Sequence, residues 1–490
     1  MQIVTSHPIW AHDSNYSFFD GENLHYFKLE RLFEKKHFLC PMVYKTPQMM
    51  AQNRELVKLL IKNKHNIDIE KIFYGNEVTH HHKHALSIDL FLKQKQDVHV
   101  VIDGEGDNKI WSIIRDDKVI AARDLYDARG SIGALTGFLG VELGLKGLGL
   151  DLPGKVMGIQ SYGCFDSEIY ESVKKYNMDF LGDKYLDKES IQSDRRTRNE
   201  KFAEGYSAYK VSKIEKSKKI NAVYTIHKRL GEIVLEIFEK YVNPNERVAY
   251  SGGVAQNVVW NTELKKRYPK LTILPHCGDE GLSFGTMEFF RKKYDLKFDL
   301  SCYPFMQSDE APGDDPTIET IQKTARHLAN GKIVSWYQGH GEVGPRALGH
   351  RSILMDPRIK NGKDIINRVK NRESFRPFGA SVLSEYAKEY FDLDFENPYM
   401  LYLGTTQKDN LDAITHVDGT CRAQTVDKNF DKNFRLLLEY FYDITGCPVL
   451  LNTSLNEAGK PIAGWIRNAE AIYSSSPIDV LVVGNKVYEK

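Results

Sequence analysis

Four histidines stand within five positions, His80, His81, His82 and His84, and lead straight into the apolar-patterned stretch ALSIDLF. On a helix, positions i and i+4 share a face, so His80 and His84 reach a common point. Neutral imidazole suits borderline transition metals such as Fe²⁺ or Zn²⁺. Two aspartates in glycine-rich contexts are available to complete such a centre. Asp103 ends the apolar run VHVVID before GEG, and Asp279 sits in PHCGDEGLSFG between an expected strand and the start of an expected helix. Two histidines and two carboxylates at strand ends make a mixed nitrogen and oxygen site with positions open for substrate. Taken alone, the histidine run also reads as a chance helix start, and each aspartate as a cap or turn former.

Two other patterns bear on anions. SGGVAQN (251–257), with Gly252, Gly253 and Asn257, places glycines between an expected strand and helix, where backbone comes close to a phosphate and the helix start offers free N–H groups. ARGSIGALTGFLG (128–140) repeats the pattern, and the pair suggests a nucleotide held between two lobes. Between 339 and 376, Arg346, Arg351, Lys370, Arg372 and Arg376 occur among glycines and prolines rather than along one helical face, and Arg422, Asn452 and Ser454 follow in HVDGTCRAQTV and CPVLLNTSLN. Guanidinium groups grip phosphate oxygens bidentately, so the cluster predicts an anion site, against the alternative of surface salt bridges.

These residues must be positioned by alternating strand-like and helix-like segments, which predict an α/β or α+β architecture. The stretch 97–120 reads as a hairpin or meander, 223–242 as an amphipathic helix, and 247–268 as strand, glycine turn and helix. MQSDEAPGDDP (306–316) is acidic, rich in Pro and Gly and without periodicity. It divides 490 residues, too many for one comfortable core, into expected domains 1–308 and 317–490 with a linker at 309–316. With 67 basic against 66 acidic residues, a chain that coats nucleic acid is not indicated, although 193–219 forms a local cationic stretch, most simply a solvated face. Six scattered cysteines predict reduced thiols, and the absence of a signal-like start or a membrane-length apolar run predicts a cytoplasmic protein that makes no membrane contact.

HDSN (12–15), HHHKHA (80–85), VIDGEG, SGGVAQN and CGDEGLSFG, in this order, resemble the O-carbamoyltransferases of nodulation and antibiotic tailoring, and the likeness continues through the second domain. The resemblance implies an N-terminal domain of the actin, Hsp70 and sugar-kinase ATPase fold. It implies a C-terminal α/β domain like threonylcarbamoyl-adenylate synthase. In that family's pattern His80, His84, Asp103 and Asp279 would ligate Fe²⁺. His12 would stand by the acceptor hydroxyl as general base, with Asp13 orienting it. Gly252, Gly253 and Asn257 would hold the AMP part. Arg346 and Lys370, with Arg376, Arg422, Asn452 and Ser454, would bind carbamoyl phosphate and ATP, with Mg²⁺ an optional companion of ATP. Arg351 and Arg372 match the family's motifs without an assigned contact. The implied product of the second domain is carbamoyl-adenylate. The implied acceptor is a hydroxyl on a sugar, a small molecule or a hydroxymethylated base in DNA such as 5-hydroxymethylcytosine, and a homodimer is implied by likeness only. Two alternatives stay open: threonylcarbamoyl or N-carbamoyl transfer to transfer RNA or an amine, and a non-enzymatic actin-like binding module. The fused arginine-rich domain counts against the first, and the intact ligand and arginine sets against the second.

Overall fold

The computed structural model describes residues 2–7, 12–37, 55–63, 66, 69, 72–73, 77–124, 131–175, 210–211 and 214–490. Of the cationic stretch, residues 193–209, 212 and 213 lie outside the described residues, as do 128–130 of the second glycine-rich run. Three mixed or antiparallel sheets with flanking helices make a mixed α/β fold. The first sheet is a meander of β1 (Ile3–His7), β2 (Asn15–Phe19) and β3 (Leu24–Lys28), with β4 (Ile72–Phe73) parallel to β1.

The second sheet has the order β7-β6-β5-β8-β9. It joins an antiparallel meander of β5 (Val98–Gly106), β6 (Lys109–Arg115) and β7 (Lys118–Asp124) to the parallel strands β8 (Val248–Ser251) and β9 (Leu271–Thr272). The expected meander is present, but its first turn is not at GEG. β5 continues through both glycines, and the chain reverses at Asp107 and Asn108, whose φ values of 53° and 58° suit a two-residue hairpin turn. Asp103 is therefore an in-strand residue.

Four helices matter for placing side chains along this sheet: α1 (His80–Asp89), α2 (Ile132–Glu142), α3 (Leu152–Ile159) and α4 (Lys219–Tyr241). On α4, Ile226, Leu230, Ile233 and Ile237 recur at helical spacing and pack with Val100, Ile102 and Tyr250 in one core, each burial worth about 1.5–3 kcal/mol. Two further helices, α5 (Val258–Arg267) and α6 (Leu282–Tyr294), follow β8 and β9. α6 lies directly against α1. A Cβ on Gly285 would overlap the Lys83 carbonyl, so this glycine sets how closely the helix after Asp279 approaches the helix that carries the histidines.

The third sheet runs in the order β13-β14-β12-β15-β11-β10-β16-β17. Its strands are β10 (Val334–Tyr337), β11 (Arg351–Met355), β12 (Gly379–Leu383), β13 (Gly404–Thr405), β14 (Thr420–Val426), β15 (Val449–Ser454), β16 (Val480–Val483) and β17 (Lys486–Glu489). One more helix, α7 (Gly362–Val369), ends where Lys370 begins. The stretch expected as a linker contains no helix or strand, but it is anchored rather than solvated. Asp309 is buried and faces Arg351 at 3.0 Å and Arg31 at 3.5 Å. Leu401 and Tyr402, far along the chain, pack into the core of the second sheet. Among the described residues no disulfide forms, and no helix is long and apolar enough to cross a membrane.

Candidate active site

His80 and His84 project from the first turns of α1, Asp103 from β5, and Asp279 from the start of a single 3-10 turn (Asp279–Gly281), seven residues after β9. Their ligand atoms converge, all within 4.8 Å of one another. His80 Nε2 lies 3.0 Å from Asp103 Oδ2 and 3.4 Å from Asp279 Oδ1. His84 Nε2 lies 3.5 Å and 3.3 Å from the same two atoms, and 3.2 Å from His80 Nε2. These separations fit one cation. Bonds of about 2.1 Å give ligand edges of about 3.0 Å at right angles and about 3.4 Å at the tetrahedral angle. Two imidazole nitrogens pointed at each other beside two carboxylates otherwise need shared protons. Burial alone would push the His80 pKa down, but the charges and hydrogen bonds of Asp279 and Asp103 carry it up to about 10. His84 is buried and raised by the same two carboxylates, while Asp279 is held well below the usual carboxylate range in spite of its burial. His81 and His82 turn elsewhere. His81 is buried against the Ser112 hydroxyl, where burial depresses it to about 3, and His82 meets Thr79.

Residues around the cluster orient it. Gly253 N–H donates to Asp103 Oδ1 at 2.8 Å, leaving Oδ2 for the histidines. Asn15, the last residue of HDSN, donates to the Asp13 and Asp279 carbonyls, each at 2.8 Å, and accepts from Ser283 N–H. Such contacts fix ligand orientation around metals. His7, at the end of β1, places Nε2 3.4 Å from Asp279 Oδ2, and His12 Nε2 stands 3.5 Å from that same oxygen. His12 Nδ1 lies 3.0 Å from Asp13 Oδ2. Nothing in the sequence marks His7, a lone histidine after VTS. Asn15 was visible within HDSN but carries no signal of its bridging task.

The SGGVAQN turn is built differently from a phosphate cradle. Gly252 has φ 94°, and a Cβ there would overlap the Ile102 carbonyl of β5, so the glycine serves close backbone packing. The Gly253 N–H is already engaged by Asp103. Asn257 caps α5 by accepting from the Val259 and Trp260 N–H groups, and its amide meets His227. Gly253 and Asn257 still line the cavity described next. Gly252→Ala is expected to lower stability by about 1–3 kcal/mol through backbone strain, read as a lower urea midpoint in the absence of any ligand.

One cavity of about 1250 Å³ is lined both by His80, Asp103 and Asp279 and by Arg346, Lys370, Arg372, Arg376, Arg422, Asn452 and Ser454. Arg346 is presented by a loop wound around the buried Glu342 carboxylate, which accepts from the N–H groups of Leu348, His350 and Arg351. Arg422 is at the start of β14, beside Gly379, and Lys370 caps the end of α7. The Lys370 ammonium donates to the Ser454 carbonyl and to Asn456 Oδ1 at 2.7 Å. Burial and the surrounding cations push Lys370, Arg372 and Arg422 well below their usual pKa values, and Arg346 and Arg376 also lie lower. The Nε atoms of Arg346 and Arg422 are buried with no hydrogen-bond partner among the described residues, as is Asn452 Oδ1. Arg376 has Glu373 at 3.9 Å, and the other four cations have no carboxylate within salt-bridge distance among the described residues. A buried lysine and half-buried arginines so arranged are built for an anion from outside.

Arg351, expected with this set, does not line the cavity. It is fully buried, stacks on Tyr337 at 3.6 Å, pairs with Asp309 and donates to the Glu310, Gly339 and Ala463 carbonyls. It pins the 309–310 segment to the third sheet. Several cavity residues had no expected role: Lys28, Glu30, Lys36, His37, Asp151 and Glu280.

The carbamoyltransferase N-terminus model matches residues 21–287, and the carbamoyltransferase C-terminus model matches residues 325–490. The nodulation protein NolNO of Sinorhizobium fredii is 33% identical over 294 residues, 54% of this chain and 43% of that protein. The 3'-hydroxymethylcephem-O-carbamoyltransferase of Amycolatopsis lactamdurans is 31% identical over 279 residues, 55% of this chain and 54% of its own. The nodulation protein NolO of Bradyrhizobium diazoefficiens is 29% identical over 446 residues, 83% of this chain and 78% of that one. The chain thus spans about half the length of the first curated relatives it matches. Among solved structures, the activator of the 2-hydroxyisocaproyl-CoA dehydratase from Clostridium difficile overlaps 61% of this chain and 99% of its own at 12% identity and a TM-score of 0.32, which carries no argument. The converging histidines and aspartates and the cation-rich wall fall within the two matched stretches, and the chain belongs to the carbamoyltransferase family.

Proposed function

We propose that the protein is an ATP-dependent O-carbamoyltransferase with two half-reactions in the shared cavity. The observation that carries this reading is one space lined both by three members of the four-residue cluster, His80, Asp103 and Asp279, and by five cations of which only Arg376 has a carboxylate, Glu373 at 3.9 Å, within reach among the described residues. In the first half-reaction, water releases phosphate from carbamoyl phosphate, and the resulting carbamate displaces pyrophosphate from ATP to give carbamoyl-adenylate. Arg346, Arg376 and Arg422 supply charge for the phosphate oxygens, and Lys370 adds a point charge held by the Ser454 and Asn456 carbonyls. Linking carbamate to AMP gives the carbamoyl carbon a good leaving group, and an enclosed path protects a water-labile intermediate. The finer fold reading belongs here as well: an actin-like ATPase-type first domain over 1–308 and an adenylate-forming second domain over 317–490.

In the second half-reaction His80, His84, Asp103 and Asp279 would hold a divalent cation of the Fe²⁺ or Zn²⁺ class, which supplies Lewis acidity toward the carbamoyl oxygen. His12 takes the proton of the acceptor hydroxyl through Nε2. Because Nδ1 faces the Asp13 carboxylate, in the neutral ring that nitrogen holds the proton and Nε2 the lone pair. The acceptor is a hydroxyl-bearing molecule, a sugar, another small molecule or a hydroxymethylated base in DNA.

Incubation with ATP and carbamoyl phosphate, without acceptor, is expected to yield AMP and pyrophosphate. No turnover of nucleotide would sink the reading. His12→Ala should leave that reaction intact and slow carbamoyl transfer by roughly 10²–10⁴-fold. Burial alone would lower the His12 pKa, but the Asp13 hydrogen bond and the charges of Asp279, Asp13 and Asp103 carry it up to about 9. A base must be deprotonated, so transfer should rise with pH along one limb. Once a bound cation neutralises Asp279 and Asp103, their pull on His12 weakens, and the midpoint of that limb should fall below about 9. Mass spectrometry of candidate acceptors, read for one added carbamoyl group, identifies the acceptor.

A further inference from the structure

His37 is used by neither half-reaction, yet it meets the partner of the proposed base from the far side. The Asp13 carboxylate receives His12 Nδ1 at 3.0 Å, His37 Nδ1 at 3.2 Å and the Lys28 ammonium at 3.4 Å. The other His37 nitrogen, Nε2, lies 3.2 Å from Asp151 Oδ1, and Asp151 also pairs with Lys36. The His37 backbone N–H donates to Glu30 Oε2 at 2.9 Å, so the ring is held at both nitrogens and its main chain at a third point. Asp151 precedes α3, and all of these groups line the cavity. Both Asp13 and His37 occupy left-handed backbone, with φ of 56° and 51°, which non-glycine residues rarely adopt without a reason in their surroundings.

We infer that His37 is a positioning residue: by donating to Asp13 while held by Asp151, it fixes the Asp13 carboxylate, which in turn fixes the ring and tautomer of His12. The inference rests on the reading of His12 as the base. With three donors on one carboxylate, Asp13 stays ionised despite its burial, and His12 has only one way to present Nε2 to an acceptor. Each His37 nitrogen faces a carboxylate, which carries its pKa up to about 9 against the effect of burial, so the ring donates at both ends. Without His37, Asp13 keeps Lys28 and His12 but loses the contact that sets its plane.

The test uses the full chain loaded with Fe²⁺ or Zn²⁺ and three variants, His37→Ala, His37→Asn and His37→Gln. An Asn amide reaches roughly where Nδ1 does, and a Gln amide where Nε2 does. His37→Ala should lower kcat for transfer roughly 10- to 100-fold with KM for the acceptor little changed, and leave AMP formation intact. His37→Asn should recover most of the loss and His37→Gln little of it. Recovery by Gln alone would overturn the inference in favour of a simple tether to Asp151. Equal losses in all three variants, or loss of AMP formation alongside, would overturn it in favour of a general structural role. If His37→Ala does not fold, the Asn and Gln pair decides. A second measurement needs no transfer activity: the rate at which diethyl pyrocarbonate modifies His12, mapped by peptide mass spectrometry. That rate should fall severalfold in His37→Ala and return in His37→Asn. An unchanged rate overturns the positioning role even where no acceptor is carbamoylated, while a changed rate with no transfer by the parent protein leaves the positioning standing and removes only the carbamoyl-transfer reading.

Discussion

An Asp279→Ala protein is expected to lose its metal and its carbamoyl transfer together, while still forming AMP from ATP and carbamoyl phosphate. Asp279 is the carboxylate on which four imidazoles converge: His80 and His84 at 3.4 and 3.3 Å on one oxygen, His7 and His12 at 3.4 and 3.5 Å on the other. Its removal takes away a ligand and leaves buried histidines facing only Asp103. Metal content by mass spectrometry should drop from near one ion per chain to a small fraction, and transfer should fall by roughly 100-fold or more. Breaking a buried ionic cluster on one side costs about 3–5 kcal/mol, so the metal-free variant should also melt earlier than the metal-free parent. The pH dependence has a definite sign. His80 has a folded pKa of about 10 against 6.5 for the free side chain, so its pairing stabilises the metal-free protein fully below pH 6.5 and is lost as pH rises toward 10. Asp279 is depressed, so its contribution is present above the ordinary carboxylate pKa and is lost in acid. A metal competes with the histidine protons, so its affinity should rise over the alkaline range in which the metal-free cluster weakens. Affinity that stays flat from pH 6.5 to 9 would contradict this arrangement.

The four residues that converge were legible as candidates because each carried a local mark: helical i, i+4 spacing for His80 and His84, and glycine-flanked carboxylates for Asp103 and Asp279. Their convergence was not. It depends on β5 pairing in parallel with β8, and on Gly285 letting α6 approach α1, both contacts between distant parts of the chain. The meander at 98–124, the helix at 219–241 and the strand, turn and helix at 248–267 follow from period-2 and period-3.6 patterns. The task of the SGG glycines does not, because the same residues satisfy a phosphate or a neighbouring strand, and here Ile102 and Asp103 are the neighbours. Arg346 and Arg351 make the point within five residues. Both sit in the same arginine-rich stretch, but Arg351 is the first residue of β11, paired with Tyr337 of β10, and that register sends it into the interior against Asp309. Only the sheet distinguishes a cavity-facing arginine from a pin.

That distinction gives two arginines opposite expected fates. Arg422→Ala should slow AMP formation by roughly 10²–10³-fold, the cost of removing one preorganised donor from developing charge, and should raise, not lower, the melting temperature of the ligand-free protein. Burial disfavours the Arg422 charge, and Arg346, Arg372 and Arg376 repel it, with no opposing carboxylate in contact among the described residues. Removing it relieves repulsion that only a bound anion otherwise offsets. In the parent protein, pyrophosphate at 100 times its Kd should add about 2.7 kcal/mol of stability, and most of that gain should vanish in the variant. Arg351→Ala should do the reverse. It takes the nearer cation from the buried Asp309 carboxylate, leaving Arg31 at 3.5 Å, and removes the donor to five carbonyls, a loss of about 3–5 kcal/mol that appears with or without pyrophosphate. If Arg422→Ala also melted early and kept its response to pyrophosphate, the cluster would be internal ionic packing, and the cavity would have no anion to receive.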